Sequence, residues 1–236
     1  MKTTFFKAAF LGAGLILVGA QGSHGALLAG WNFNTDTTVS HGSGTLDLST
    51  LANTADATIS SGGGTSQNAV SPDSGLNALI ITTGSGGREN GKSIIFSLSV
   101  SGYQNLILTY ATVRTSTGFT DQNWLYSNDG TTFTSFSTIN GSSIPTPSGS
   151  ITSSSYAVET VNFSSITALN NDSLIYIELT LSGGTGVSDR FDNIQFNADL
   201  SPVPEPITLA LPIFGGLVLT TGLVRHFVSR RAECVA

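Results

Sequence analysis

Cysteine and histidine are almost missing from this chain of 236 residues: one cysteine, Cys234, and three histidines, His24, His41 and His226. That scarcity excludes a disulfide framework and a zinc centre built from several Cys or His ligands. Charge is scarce too, at 10% of residues. Between positions 26 and 203 only Arg88, Lys92, Arg114 and Arg190 are basic, against thirteen acidic residues, so 4 minus 13 gives a formal charge of −9. Nucleic acid and anionic lipid are therefore poor partners. No amphipathic helical period runs through this region. Without disulfides, its stability has to come from packing or from a bound ion.

What is abundant is glycine, serine, threonine and asparagine, interrupted by short apolar stretches. Their spacing predicts strands at Leu27–Phe33, Asn77–Thr82, Ser93–Val100, Leu106–Val113, Trp124–Ser127, Phe133–Thr138, Ala157–Phe163, Leu174–Leu181 and Phe191–Ala198. Ile94, Phe96, Leu98 and Val100 alternate with Ser97 and Ser99. Ile175, Ile177, Leu179 and Leu181 alternate with Tyr176, Glu178 and Thr180, so each strand has one core face. Asn128-Asp129-Gly130 predicts a hairpin between two of these segments. Residues 40–74 and 140–155 read as long loops, with room for short strands at 46–48 and 57–59. About nine antiparallel strands predict an all-β, two-sheet β-sandwich of jelly-roll type, with an immunoglobulin-type sandwich as the alternative.

The two ends of the chain carry the long apolar runs. Lys2 and Lys7 precede an apolar stretch from Ala8 to Ala20, and Ser23 and Gly25 place small residues at −3 and −1 before Ala26. Residues 1–25 thus read as a signal peptide, removed by signal peptidase after delivery to the secretion machinery. At the other end, Pro204-Glu205-Pro206 lies in a proline-rich linker, 200–206. Next come an uncharged run, 207–224, and a basic tail, 225–236, with Arg225, Arg230 and Arg231. As a helix the run rises roughly 27 Å, enough to span a bilayer. The arginines favour the cytoplasmic side, which puts the proline strip and residues 26–199 outside.

The ordered trio of proline strip, apolar run and arginines resembles the PEP-CTERM sorting signal of Gram-negative bacteria. The resemblance covers 203 to about 231. It implies that an exosortase-like membrane protease recognises Pro204, Glu205 and Pro206 and removes the tail, leaving the ectodomain at the cell surface or in the extracellular matrix. Leu28-Ala29-Gly30-Trp31-Asn32-Phe33, the central Trp124 hairpin and Arg190-Phe191-Asp192-Asn193-Ile194 resemble jelly-roll ectodomains that bear such tails. In carbohydrate-binding modules of that kind a closing Asp-Asn strand helps hold calcium, which makes Asp192 the candidate ligand. The same resemblance implies a structural, adhesive or glycan-binding part in an exopolysaccharide or biofilm matrix.

Glycan recognition calls for aromatic faces beside hydrogen-bonding groups, and Trp124, Tyr126 and Arg114, with Tyr110, are the candidates; each tryptophan is also wanted by the core. Catalysis has few options. His41, in His41-Gly42-Ser43-Gly44, is the only exported histidine available to a Ser-His-Asp triad. A polysaccharide-active enzyme would instead need two carboxyls about 5–10 Å apart, drawn from Glu89, Glu159, Glu178 and the aspartates. A third possibility is an envelope lectin that keeps its membrane anchor. The reading preferred from the sequence is a non-enzymatic, exported surface protein.

Overall fold

A computed structural model describes residues 25–60 and 62–202. The signal-peptide residues before Gly25, the Pro204-Glu205-Pro206 strip, the apolar run and the arginine tail lie outside the described residues. Among those described, no helix is long and apolar enough to cross a membrane.

Twelve strands follow one another among the described residues: β1 (Ala26–Trp31), β2 (His41–Gly42), β3 (Thr45–Asp47), β4 (Ala57–Ile59), β5 (Leu79–Thr82), β6 (Lys92–Leu98), β7 (Tyr103–Arg114), β8 (Asp121–Ser127), β9 (Thr134–Asn140), β10 (Ala157–Asn162), β11 (Ile175–Ser182) and β12 (Ser188–Leu200). They form two antiparallel sheets packed face to face. One runs β10-β7-β12-β1-β2, with β5 beside β12 and β4 beside β5; the other runs β3-β6-β11-β8-β9. From β6 onward the chain passes repeatedly from one sheet to the other, as in a jelly roll. All nine predicted strands are present, and the two short ones appear as β3 and β4.

β2 is the strand that the sequence pattern did not reveal. Two residues carry no alternation, and β2 exists because β1 supplies an edge for it, pairing Ala29 with Gly42 and Gly30 with His41. Gly42 has φ +68°, and a Cβ there would come within 1.9 Å of the Leu28 carbonyl oxygen, so only glycine permits this approach.

The alternation of β6 and β11 sets the core. Ile94, Phe96, Ile175, Ile177, Leu179 and Leu181 are fully buried, while Tyr176, Glu178 and Thr180 face outward. Across the interface, Phe96 lies 5.1 Å from Trp31 and 5.5 Å from Phe196, and Tyr110 lies 5.1 Å from Trp124 between ring centroids. These rings interleave from opposite sheets, and each contributes on the order of 2–3 kcal/mol by burial.

Strand β12 is shared along its length by two neighbours. β5 pairs with residues 188–191 and β1 with residues 194–198, and a bulge at Asp192-Asn193 separates the two. Asn193 sits there at φ +48°. Because Ala26 pairs with Ala198, the sandwich begins and ends on adjacent strands. The segment 62–78 crosses the outer face of the seven-stranded sheet. There Asn68 Nδ2 donates to the Asn193 carbonyl at 2.7 Å and to Thr109 Oγ1 at 3.1 Å. Ala78, Ala111, Val113 and Tyr156 form a second, small apolar cluster. The five-stranded sheet keeps half-exposed side chains along the middle of its outer face.

Candidate functional site

The aromatic residues expected to meet a glycan are not gathered on a surface. Trp124 is fully buried and donates its Nε1 proton to Tyr110 Oη at 3.1 Å. Tyr110 in turn donates to Gln122 Oε1 at 2.8 Å. Gln122 Nε2 donates to Thr112 Oγ1 at 3.0 Å and to Asp189 Oδ2 at 3.2 Å, and the Phe119 N–H donates to Asp189 Oδ1 at 2.8 Å. Trp124 is therefore one end of a buried polar chain that crosses the core. Tyr126 is half-buried against Phe136, and Arg114 sits at the top of β7 opposite Asp189. The expectation for Trp124 is corrected by strand phase: it lies opposite Leu179, and Tyr126 opposite Ile177, on the core side of β11. Trp124, Leu125 and Tyr126 are three consecutive apolar residues, so the sequence left that phase undetermined.

Burial shapes the two aspartates of β12. Asp189 faces inward and Asp192 outward, on opposite sides of the bulged strand, so they do not form one cation site. Asp192 accepts from the Thr65 N–H at 2.7 Å on Oδ2 and from the Asn193 N–H at 2.8 Å on Oδ1. Asn193 Nδ2 holds the carbonyls of Thr65 at 2.6 Å and Gln67 at 2.8 Å. Together Asp192 and Asn193 latch the 62–68 segment to the sheet. Desolvation is the main reason that both carboxyls are pushed up to about 7; the hydrogen bonds from Gln122 and Phe119 at Asp189, and from Thr65 and Asn193 at Asp192, oppose it. Among the described residues no three His, Cys, Asp or Glu side chains come together as a metal cluster.

The catalytic candidates are also dispersed. His41 Nε2 meets Asp73 Oδ2 at 2.6 Å, but among the described residues no serine hydroxyl bonds to His41. Glu89 is fully buried and spends its two oxygens on the backbone N–H groups of Ala52 and Asn53, at 2.8 and 2.9 Å. It pins the 52–53 turn beneath the β5–β6 loop. Glu159 lies on β10 and Glu178 on β11, in different sheets, so neither supplies the other with a partner across a cleft.

The arrangement that sequence reasoning passed over is the open face of the five-stranded sheet. Register aligns Tyr176 with Ser97 and Ser127, Glu178 with Ile95 and Leu125, and Thr180 with Ser93 and Asn123. The result is a half-exposed aromatic ring and two aliphatic side chains framed by the hydroxyls of Ser97 and Thr180, the Asn123 amide and the Glu178 carboxylate, while Ser93 and Ser127 of the same row are buried. Thr180 Oγ1 donates to Glu178 Oε1 at 3.0 Å and Thr138 Oγ1 to Asn123 Oδ1 at 2.8 Å, which fixes the orientation of both acceptors. Tyr176 is braced by the β8–β9 hairpin, where Gly130, at φ +70°, lies against its ring. A Cβ at that position would come within 2.9 Å of the ring.

That hairpin forms as expected, by a longer route than a two-residue turn. Asn128 donates to the Ala168 carbonyl at 2.7 Å and to Asp172 Oδ2 at 2.6 Å. Asp129 Oδ1 accepts from the N–H groups of Thr131 and Thr132 at 2.8 and 2.7 Å. The alternation of β11 had already placed Tyr176, Glu178 and Thr180 outside; only the pairing of β6, β8 and β9 around β11 makes them one surface.

The fold and this face define an all-β, two-sheet antiparallel sandwich with a polar, aromatic-centred open surface. No family model matches the chain, and no curated protein matches it. Among solved structures, TmCBM61 in complex with β-1,4-galactotriose is 11% identical over 66% of this chain and 88% of that one, with a TM-score of 0.37. The xylan-binding domain from CBM22 is 10% identical over 76% and 99%, with a TM-score of 0.38. The K2 cleaved adhesin domain of Lys-gingipain is 14% identical over 71% and 97%, with a TM-score of 0.40.

Proposed function

We propose that this chain is an exported, non-catalytic surface protein whose sandwich binds polysaccharide of the extracellular matrix, and that an exosortase-like protease delivers it there by removing its tail. The observation that carries the binding part is the open face of the five-stranded sheet. Tyr176 offers an apolar ring to a sugar face, while Glu178, Asn123 and the neighbouring hydroxyls supply hydrogen bonds to sugar hydroxyls. The thirteen-to-four excess of acidic residues between 26 and 203 favours a neutral or cationic glycan over a strongly anionic one. The delivery part rests on the order of Pro204-Glu205-Pro206, the run 207–224 and Arg225, Arg230 and Arg231.

Tyr176→Ala is expected to weaken retention on the producing organism's exopolysaccharide at least about tenfold, with stability kept within about 1 kcal/mol of the parent. Equal retention by variant and parent sinks the assignment of this face, and release of reducing ends by the parent points to the carboxylate enzyme instead. Replacing Pro204, Glu205 and Pro206 together with alanine is expected to leave export intact and the tail attached. The masses of the surface-fraction protein decide this. Loss of the tail from the variant overturns the sorting reading, and a tail retained by the parent favours a permanently anchored lectin.

A further inference from the structure

The sequence contains two Asn-Gly pairs, Asn90-Gly91 and Asn140-Gly141. A carboxamide followed by glycine is open to attack by the next backbone nitrogen, because no side chain hinders the approach. Whether attack occurs depends on what else holds the two reacting groups.

At Asn90 both groups are committed. Its Nδ2 donates to the Gly184 carbonyl at 2.7 Å and its Oδ1 accepts from the Gly184 N–H at 2.8 Å. The Gly91 N–H donates to the Leu181 carbonyl at 2.8 Å. The carboxamide is clamped to another loop, and the nucleophile is tied to β11.

Asn140, exposed at the end of β9, is the reverse case. Among the described residues neither the Gly141 N–H nor Asn140 Nδ2 has a hydrogen-bond acceptor. Asn140 Oδ1 accepts from the Ser142 N–H at 3.2 Å and from the Ser142 hydroxyl. These two donors sit where negative charge develops on that oxygen when a nucleophile adds to Cγ, so they favour the addition.

A third pair, Asp129-Gly130, is protected differently. Hydrogen bonds from Thr132, Thr131 and Ser127 hold the Asp129 carboxyl well below the usual carboxylate range, leaving an ionised, poorly electrophilic group. The Gly130 N–H donates to Ser127 Oγ at 3.0 Å.

We propose that Asn140 is a self-modification site. The Gly141 nitrogen bonds to Asn140 Cγ, the bond from Cγ to the carboxamide nitrogen breaks, and ammonia leaves with the proton from Gly141. Water then adds to the cyclic imide and opens it at either carbonyl, giving aspartate or isoaspartate. No oxidant or cofactor is needed.

The consequence is mechanical as well as chemical. Asn140 pairs with Asp121 across the β8–β9 ladder, so a new carboxylate lies directly opposite an existing one, which is unfavourable between paired strands. Isoaspartate also adds a backbone carbon at the end of an edge strand. β9 forms one border of the open sheet face, and the conversion loosens that border as the protein ages.

The test is incubation of the intact, folded protein in mildly alkaline buffer, with peptide masses followed over time. The peptide holding Asn140 is expected to gain one mass unit severalfold faster than the peptide holding Asn90, and Ser142→Ala to slow that gain. In denaturant the two peptides should convert at similar rates. Equal rates in the folded protein, an Asn140 peptide that changes only in denaturant, or a Ser142→Ala variant that converts as fast as the parent each overturn the proposal.

Discussion

Lowering the pH from about 8 to about 5 is expected to raise the melting temperature of this sandwich, on the order of 5–10 °C. Asp189 and Asp192 both have carboxyls pushed up to about 7 by burial, and burial raises Glu159 as well. Between the ordinary carboxylate range and about 7, the folded chain holds protons on Asp189 and Asp192 that the unfolded chain has released. Stability from this source is therefore fully present below the unfolded value and is lost as pH rises through the folded one. Further acidification acts the other way. Asp36, Asp129 and Asp172 are lowered by hydrogen bonds, so their contribution disappears once the pH falls below the ordinary range. The optimum lies in mildly acidic solution. Asp189→Asn and Asp192→Asn should each flatten part of the slope between pH 5 and 8, as read by thermal melts at matched ionic strength. A melting temperature that climbs with pH across that interval contradicts the assignment.

Truncating the buried polar chain should cost more than any change on the open face. Trp124→Ala removes the largest ring from the junction of Phe96 and Tyr110. Leaving a cavity there is expected to cost about 3–5 kcal/mol. Tyr110→Phe keeps the volume but strands Trp124 Nε1 and Gln122 Oε1 without their partner, for about 1–3 kcal/mol at each group. Tyr176→Ala, on the outer face, should stay within about 1 kcal/mol of the parent. Denaturant titration ranks the three. A Trp124→Ala variant as stable as Tyr176→Ala would mean that Trp124 is not a core residue.

The contrast between Trp124 and Tyr176 marks where sequence reasoning worked and where it stopped. Tyr176 sits in a strand whose apolar residues recur at every second position, so its outward direction follows from β11 alone. Trp124 sits in a strand with apolar side chains on both faces, and its direction follows only from pairing with β11. Asp192 is another such case. The sequence offered it, by resemblance, as a calcium ligand, and its part in the latch depends on Thr65, 127 residues away in sequence. The Asn128-Asp129-Gly130 signal located a hairpin correctly, while the partners of Asn128 come from the remote 168–172 segment.

From its sequence alone, then, this chain is determined to be strand-built, acidic and without an internal disulfide, because alternation, glycine-rich punctuation and composition are local properties that need no partner. Its tertiary structure decided which aromatic rings lie inside, which carboxylates are buried, which Asn-Gly pair is free to react and which sheet face stays open. Each of these depends on register and on loops crossing a sheet, and such contacts join residues whose separation along the chain leaves no periodic trace.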